Sequence, residues 1–284
     1  MNKKVSVARL SIFSNSILII MKIIVGLLSG SVSIISEAIH SFMDLLASVV
    51  AFFSVRISDT PADERHPYGH GKFENISGVV EALLIFVAAF WIIYEAVKKI
   101  IHPTEVEKIG FGFLVMIISA IVNIIVSRRL YRVAKETDSV ALEADALHLK
   151  TDVYTSIGVA TGLMLMWISG LHLVDPIIAI FVALLILKES FELFSKAYAP
   201  LLDLALPAAD VTIISDIIQN RCTDQMSFHN LRTRKAGNYK YVDFHLNLDP
   251  EKTVKEAHEI CDRIEEDIKK AFDHTEVTIH VENF

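Results

Sequence analysis

Residues 146–174 read ALHLKTDVYTSIGVATGLMLMWISGLHLV, and this stretch decides the fold. It opens on His148-x-x-x-Asp152 and runs on through the uncharged segment Val153–Val174, about the length one helix needs to cross a bilayer core. An α-helix turns about 100° per residue, so a four-residue step leaves His148 and Asp152 on one face, one turn apart. The spacing recurs as His40-x-x-x-Asp44 in another apolar stretch, so each helix offers half a site. Two imidazole nitrogens and two carboxylate oxygens are a ligand set for a four-coordinate divalent metal such as Zn2+. Ionisable groups at bilayer depth are costly, so they mark a substrate or ion path.

Working outward, a second uncharged run, Ile109–Ser127, approaches spanning length. Four more stretches, about 10–29, 32–56, 77–99 and 176–198, reach it once Lys22, Glu37, Glu81 and Lys188 are tolerated. Six transmembrane helices are therefore expected. Lys3, Lys4 and Arg9 ahead of the first run resemble a signal peptide, but the run is long and lacks a small-residue cleavage pattern, so a retained anchor helix is expected. With six spans, the N-tail and the second and fourth loops share a side. They carry Lys3, Lys4, Arg9, Arg56, Arg65, Lys72, Arg128, Arg129, Arg132 and Lys135, against Lys98, Lys99 and Lys108 opposite. Basic loops stay inside, so both termini are expected in the cytoplasm, with the chain in the cytoplasmic (inner) membrane.

Composition agrees. Mean hydropathy is +0.45 and 52% of the 284 residues are hydrophobic, too apolar for an ordinary soluble chain. Charge is uneven: 207–284 holds 10 Lys/Arg and 15 Asp/Glu, net −5, whereas 1–206 holds 17 and 19, net −2. The acidic tail favours cations and disfavours nucleic acid. Cys222 and Cys261 lie in that tail without CxxC spacing and read as free, buried thiols in a reducing compartment.

The division expected is a membrane domain over 1–206 and a small α+β domain over 207–284. In the latter an amphipathic helix runs from Pro207 and Asp210 to about Arg221, and strands follow near 226–236 and 239–248. The capping box Thr253-x-x-Glu256 starts a helix to about Phe272, and a last strand covers about 275–282. The order αββαβ suits one sheet with both helices on one face. Val242, Phe244, Leu246 and Leu248 alternate with Tyr241, Asp243, His245 and Asn247, and Val277, Ile279 and Val281 alternate with Thr278, His280 and Glu282. By that period of two, His245, His280 and Glu282 share the uncovered face.

A third cluster, Asp63-x-x-His66-Pro67-Tyr68-Gly69-His70-Gly71-Lys72, is a tight turn able to fold Asp63, His66 and His70 around one ion. Gly71-Lys72 is followed by Phe73, so there is no GxxxxGK[ST] loop and no ATP coupling is expected. Lys150 projects to the far side of the helix from His148 and Asp152, in reach of snorkelling or an ion pair. His102, His172 and His274 have no partner pattern.

These pieces together resemble the cation diffusion facilitator family, nearest its bacterial zinc and ferrous-iron efflux branch. They are SEAIHSFMDLLAS, DERHPYGHGKFE, ALHLKTD, LLDLALP, HNLRTR and VTIHVE, in order along nearly the whole chain. The resemblance implies a homodimer with a six-helix membrane domain and a cytoplasmic metallochaperone-like domain, exchanging a divalent metal for protons. It places a transport site at His40, Asp44, His148 and Asp152 and a loop site at Asp63, His66 and His70. A binuclear site in the tail would take His229, His245, His258, His280 and Glu282, and Lys72 and Asp203 would form a charge interlock near the dimer contact. Two residues depart from the pattern: His40 stands where that branch often has Asp, and Glu282 where Asp is usual.

Three classes of function gather His and Asp among helices: a proton-coupled Zn2+ exporter (or one for Fe2+, Cd2+, Co2+ or Mn2+), an integral-membrane metalloenzyme, and a membrane-anchored metal sensor. No HExxH or comparable enzyme signature occurs, and a sensor would leave the intramembrane pairs without a role. The exporter is expected, with Zn2+ as cargo and as a structural or regulatory ion in the tail, and protons as counter-ion.

Overall fold

The computed structural model describes residues 3–29, 32–102, 111–169, 173–223 and 225–283. It contains six long helices: α1 Lys3–Ser29, α2 Val32–Ser58, α3 Lys72–Ile101, α4 Phe111–Thr137, α5 Val140–Ser169 and α6 Val174–Tyr198. A 3-10 turn, Ala199–Leu202, leads to α7 Ala208–Arg221, β1 Ser227–Ala236, β2 Tyr239–Leu248, α8 Val254–Ala271 and β3 Thr275–Asn283. The chain divides into two compact units, 1–198 and 199–284. Among the described residues, Lys3–Val25 and Lys72–Ile101 are long and apolar enough to cross a membrane by length and composition.

The first unit is apolar outside and polar within. Leu28 is 84% exposed, Val87 67% and Trp91 63%, whereas Ser48, Glu81 and Asp145 are wholly buried. Water would penalise that distribution; lipid favours it, provided the buried polar groups partner one another. α1 packs along α2, α3 along α6 and α4 along α5. α5 belongs to two cores. Ala141, Leu142, Ala146 and Leu149 join Val55 of α2 and Val126 and Leu130 of α4, while Val140 and Ala144 join Ala82 and Ile85 of α3 and Ile186 of α6. Its alanines let neighbouring backbones approach closely. This packing explains why α5 begins at Val140, well before the uncharged run at Val153: the turns between are buried in protein. Gly78 of α3 serves the same closeness, because a Cβ there would lie 2.8 Å from Val140 Cγ1 and 3.0 Å from Ala197 Cβ.

Polar side chains tie α1, α2 and α3 to the turn between α4 and α5. Lys4 Nζ donates to Glu74 Oε1 at 2.9 Å and to Asp59 Oδ1 at 3.0 Å, Ser58 Oγ donates to Glu74 Oε1 at 2.8 Å, and Ser139 Oγ donates to Glu74 Oε2. Lys150, on α5, is held by both carboxylate oxygens of Glu189 on α6 at 3.0 Å.

The second unit has a sheet in the order β1-β2-β3, with β1 and β2 antiparallel and β2 and β3 parallel. The parallel pair requires a crossover, and α8 supplies it. Val242, Phe244, Leu246 and Leu248 face Ile214 and Ile218 of α7 and Ile264 and Ile268 of α8 in one core. The capping box is formed as the sequence predicts: Glu256 N–H donates to Thr253 Oγ1 at 3.3 Å, and Thr253 N–H to Glu256 Oε2 at 2.8 Å. That N–H holds the Glu256 carboxyl below its ordinary range. Cys222 and Cys261 are free, half-buried against the core, and burial pushes both thiols up. They are poor nucleophiles at neutral pH.

Candidate metal sites

Asp44, His148 and Asp152 come together inside the first unit. α2 and α5 pack side by side, and one ligand atom from each of the three residues lies within 4.8 Å of the others. His148 Nε2 stands 2.9 Å from Asp44 Oδ1. Asn123 Nδ2 of α4 donates to Asp152 Oδ2 at 3.4 Å, and His148 Nδ1 is buried with no hydrogen-bond partner among the described residues. His40 lies on α2, one turn before Asp44, and its side chain falls outside the described residues. Behind this group, on α5 and α3, sit two buried carboxylates that spacing alone did not mark as site residues. Asp145 accepts from Ser48 Oγ at 2.9 Å and Glu81 from Ser77 Oγ at 3.3 Å.

The loop between α2 and α3 brings its three residues together by local geometry. Asp63 Oδ1 accepts the backbone N–H groups of Arg65 at 2.9 Å and His66 at 2.7 Å, a side-chain turn of the kind Asp favours. Gly69, at φ +77°, closes the loop through its N–H to His66 O at 2.9 Å. His66 Nδ1 and His70 Nε2 then each stand 3.4 Å from an Asp63 oxygen, with the two rings 4.5 Å apart. His70 Nδ1 lies 3.3 Å from Thr60 O. Donation there orients the ring and leaves the Nε2 lone pair facing Asp63, as an outer partner does for a metal-binding histidine. The N–H of His66, first among several contacts, holds the Asp63 carboxyl below its ordinary value, so it is an anion ready to ligate at neutral pH.

On the sheet, His229, His245 and His280 occupy one rung across β1, β2 and β3, with neighbouring rings 5.0 and 4.9 Å apart. Glu282 joins them. Its carboxylate lies 2.9 Å from His245 Nδ1, 3.4 Å from His229 Nε2 and 3.6 Å from His280 Nε2. His229, His245 and Glu282 form the compact group, while His280 is more exposed at the β3 edge. His229 reaches the shared face because β1 shifts register between His229 and Arg232, where Asn230 takes φ +53°. His258 stays apart: on α8, it meets Asp262 at 3.7 Å. Lys72 starts α3 in the first unit, and Asp203 of the second unit meets Arg234 at 3.5 Å.

A family profile described as the cation efflux transmembrane domain matches residues 8–202, and one described as the cation efflux protein cytoplasmic domain matches 206–284. The chain belongs to the cation diffusion facilitator family. It is 34% identical to an uncharacterized transporter of Synechocystis sp., over 90% of this chain and 82% of that one. It is 32% identical to the cation-efflux pump FieF of Shewanella oneidensis, over 96% and 92%. A solved structure of the putative zinc transporter CzrB is 36% identical over 28% of this chain and 98% of that one, with TM-score 0.27. The chain is thus a cation efflux transporter with a membrane domain and a dimerisation domain, and not an enzyme.

Proposed function

We propose that this protein exports a divalent cation, Zn2+ before Fe2+, Cd2+, Co2+ or Mn2+, from the cytoplasm in exchange for protons. The observation that carries the reading is the group of His148 Nε2, Asp44 and Asp152, two carboxylates and an imidazole on adjoining helices. His40, one turn from Asp44, completes a mixed N/O tetrahedron suited to Zn2+. The protein works as a homodimer in the inner membrane, crosses it six times, and keeps both termini in the cytoplasm. Residues 1–206 carry the cargo, and 207–284 bind metal and join the protomers. Asp63, His66 and His70 form a second metal site, His229, His245, His258, His280 and Glu282 serve the tail, and Lys72 and Asp203 lock the dimer.

Protons and metal compete for the same lone pairs. A hydrogen bond holds an imidazole nitrogen and a carboxylate oxygen about 2.9 Å apart, as His148 and Asp44 stand. Zn–N and Zn–O bonds of about 2.0–2.2 Å meeting near the tetrahedral angle set the same atoms about 3.4 Å apart. Replacing the proton with metal therefore lengthens the separation of the His148 nitrogen from the Asp44 oxygen by about half an ångström. Two facing states, each favoured by its occupant, then suffice for exchange.

The test uses vesicles containing only the purified protein and an interior pH dye. Zn2+ added outside should drive proton movement in wild type and not in Asp152→Ala. Zinc flux without proton movement overturns the antiport, and near-normal flux in the variant overturns the site.

A further inference from the structure

A cleft of about 1240 Å³ opens between α4, α5 and α6. Its α5 wall is Glu143, Ala146, Leu147, Lys150, Val153, Tyr154 and Ile157, the helix face turned away from His148 and Asp152. The lining grades along the bundle. α4 rises about 16 Å between Lys135 and Ile124, and over that length charged Lys135, Arg132 and Arg128 give way to Ile124, with Val153 and Ile157 facing it from α5.

The acids at this cleft already have cations. Glu143 accepts from Lys135 at 3.3 Å and from Lys196, and Glu189 from Lys150. Glu136 meets Lys3 at 3.4 Å, and Glu192 meets Lys188 at 3.9 Å. Arg128 and Arg132 differ. One turn apart on α4, both are exposed and both line the cleft, and among the described residues neither has a carboxylate, ring or other polar partner. A guanidinium presents a planar fork that matches two phosphate oxygens. A basic pocket between membrane helices suits a lipid head group.

We propose that this cleft binds an anionic phospholipid, with Arg128 and Arg132 on the phosphodiester and an acyl chain against Ile124, Val153 and Ile157. The charged end alone would suit inorganic phosphate equally; the apolar end favours the lipid.

The experiment offers the full-length detergent-purified protein equal amounts of phosphatidylglycerol and phosphatidylcholine and counts retained lipids by native mass spectrometry. Phosphatidylglycerol should be retained about tenfold over phosphatidylcholine, the ratio that 1.4 kcal/mol gives. Arg128→Gln with Arg132→Gln should bring the ratio close to one. Ile157→Trp, which fills the apolar end and leaves both arginines, should reduce retention of either lipid. Thermal unfolding checks each variant. If the glutamine pair does not fold, Arg128→Lys with Arg132→Lys keeps the charge without the fork and should give an intermediate ratio. A wild-type ratio near one, an unchanged ratio in the folded variant pair, or displacement of the lipid by millimolar inorganic phosphate overturns the proposal. The readout is lipid and not metal flux, so it stands apart from the identity of the cargo.

Discussion

Asp152 is a ligand candidate whose own partner is visible: Asn123 donates to it across the α4–α5 contact. Asp152→Ala should abolish metal-driven flux while leaving a folded, membrane-inserted protein, because the cost of taking a carboxylate out of water offsets most of what its hydrogen bonds contribute to the fold. Asn123→Ala removes an outer partner and should weaken metal binding about 10–100-fold, a partial loss readable by competition with a zinc-chelating dye. At residue 40, His→Asp adds negative charge and a ligand that can bind through one oxygen or two, which suits larger ions. The Cd-to-Zn and Mn-to-Zn flux ratios should rise, and the pH dependence of exchange should change as a group titrating near neutrality is lost. Unchanged ratios in an active variant mean that residue 40 does not touch the cargo. Asp44, His148 and Asp152 were legible because a four-residue step is unambiguous on a helix. His229 was not legible from periodicity, since the β1 register shift breaks the alternation that placed His245, His280 and Glu282 on one face. Asn123 was invisible for a different reason: nothing in a single sequence says which turn of α4 meets Asp152.

Helices and strands were legible in the tail to within a residue or two, because its turns and capping box are local signals. The start of α5 at Val140 was not, because residues 140–147 precede both the His148–Asp152 pair and the uncharged run that mark this helix in the sequence, and they are buried by packing into two cores. Gly78 reports on that packing. Gly78→Val places a side chain against Val140 and Ala197 and should destabilise by about 1–3 kcal/mol, seen as a lower unfolding temperature in detergent. In α8, Glu256 is held below its ordinary pKa by the Thr253 N–H, so its stabilisation is present above the ordinary carboxylate range and is lost as pH falls through the lowered value. Urea unfolding of wild-type and Glu256→Gln tail fragments should therefore differ at pH 7 and converge below about pH 4. A gap that stays constant across that range would mean the carboxylate charge contributes nothing.

At the scale of the molecule, the first unit has two cores and the second one of its own, and composition foretold the contrast between an apolar body and an acidic tail. Metal bound on the His245–Glu282 face would neutralise part of the tail's net charge of −5, and whatever binds the associated form favours it. Replacing His229, His245 and Glu282 with alanine in a 205–284 fragment should weaken its zinc-dependent dimerisation, measured by light scattering. Dimerisation unaffected by the triple change would assign the metal response elsewhere.

α5 carries His148 and Asp152 and, among the described residues, is also the one helix packed into both cores of the first unit, Val55 and Leu130 on one side and Ala82 and Ile186 on the other. The first unit is therefore two rafts sharing a keel, with half of the proposed cargo ligands bolted to it. The raft that holds α2 cannot tilt on the keel without moving those ligands relative to Asp44. A cation held by Asp44 and His148 would act as a cotter pin: while it stays, the keel is fixed to α2, and the shift that frees the α2 raft is the shift that lets the cation go.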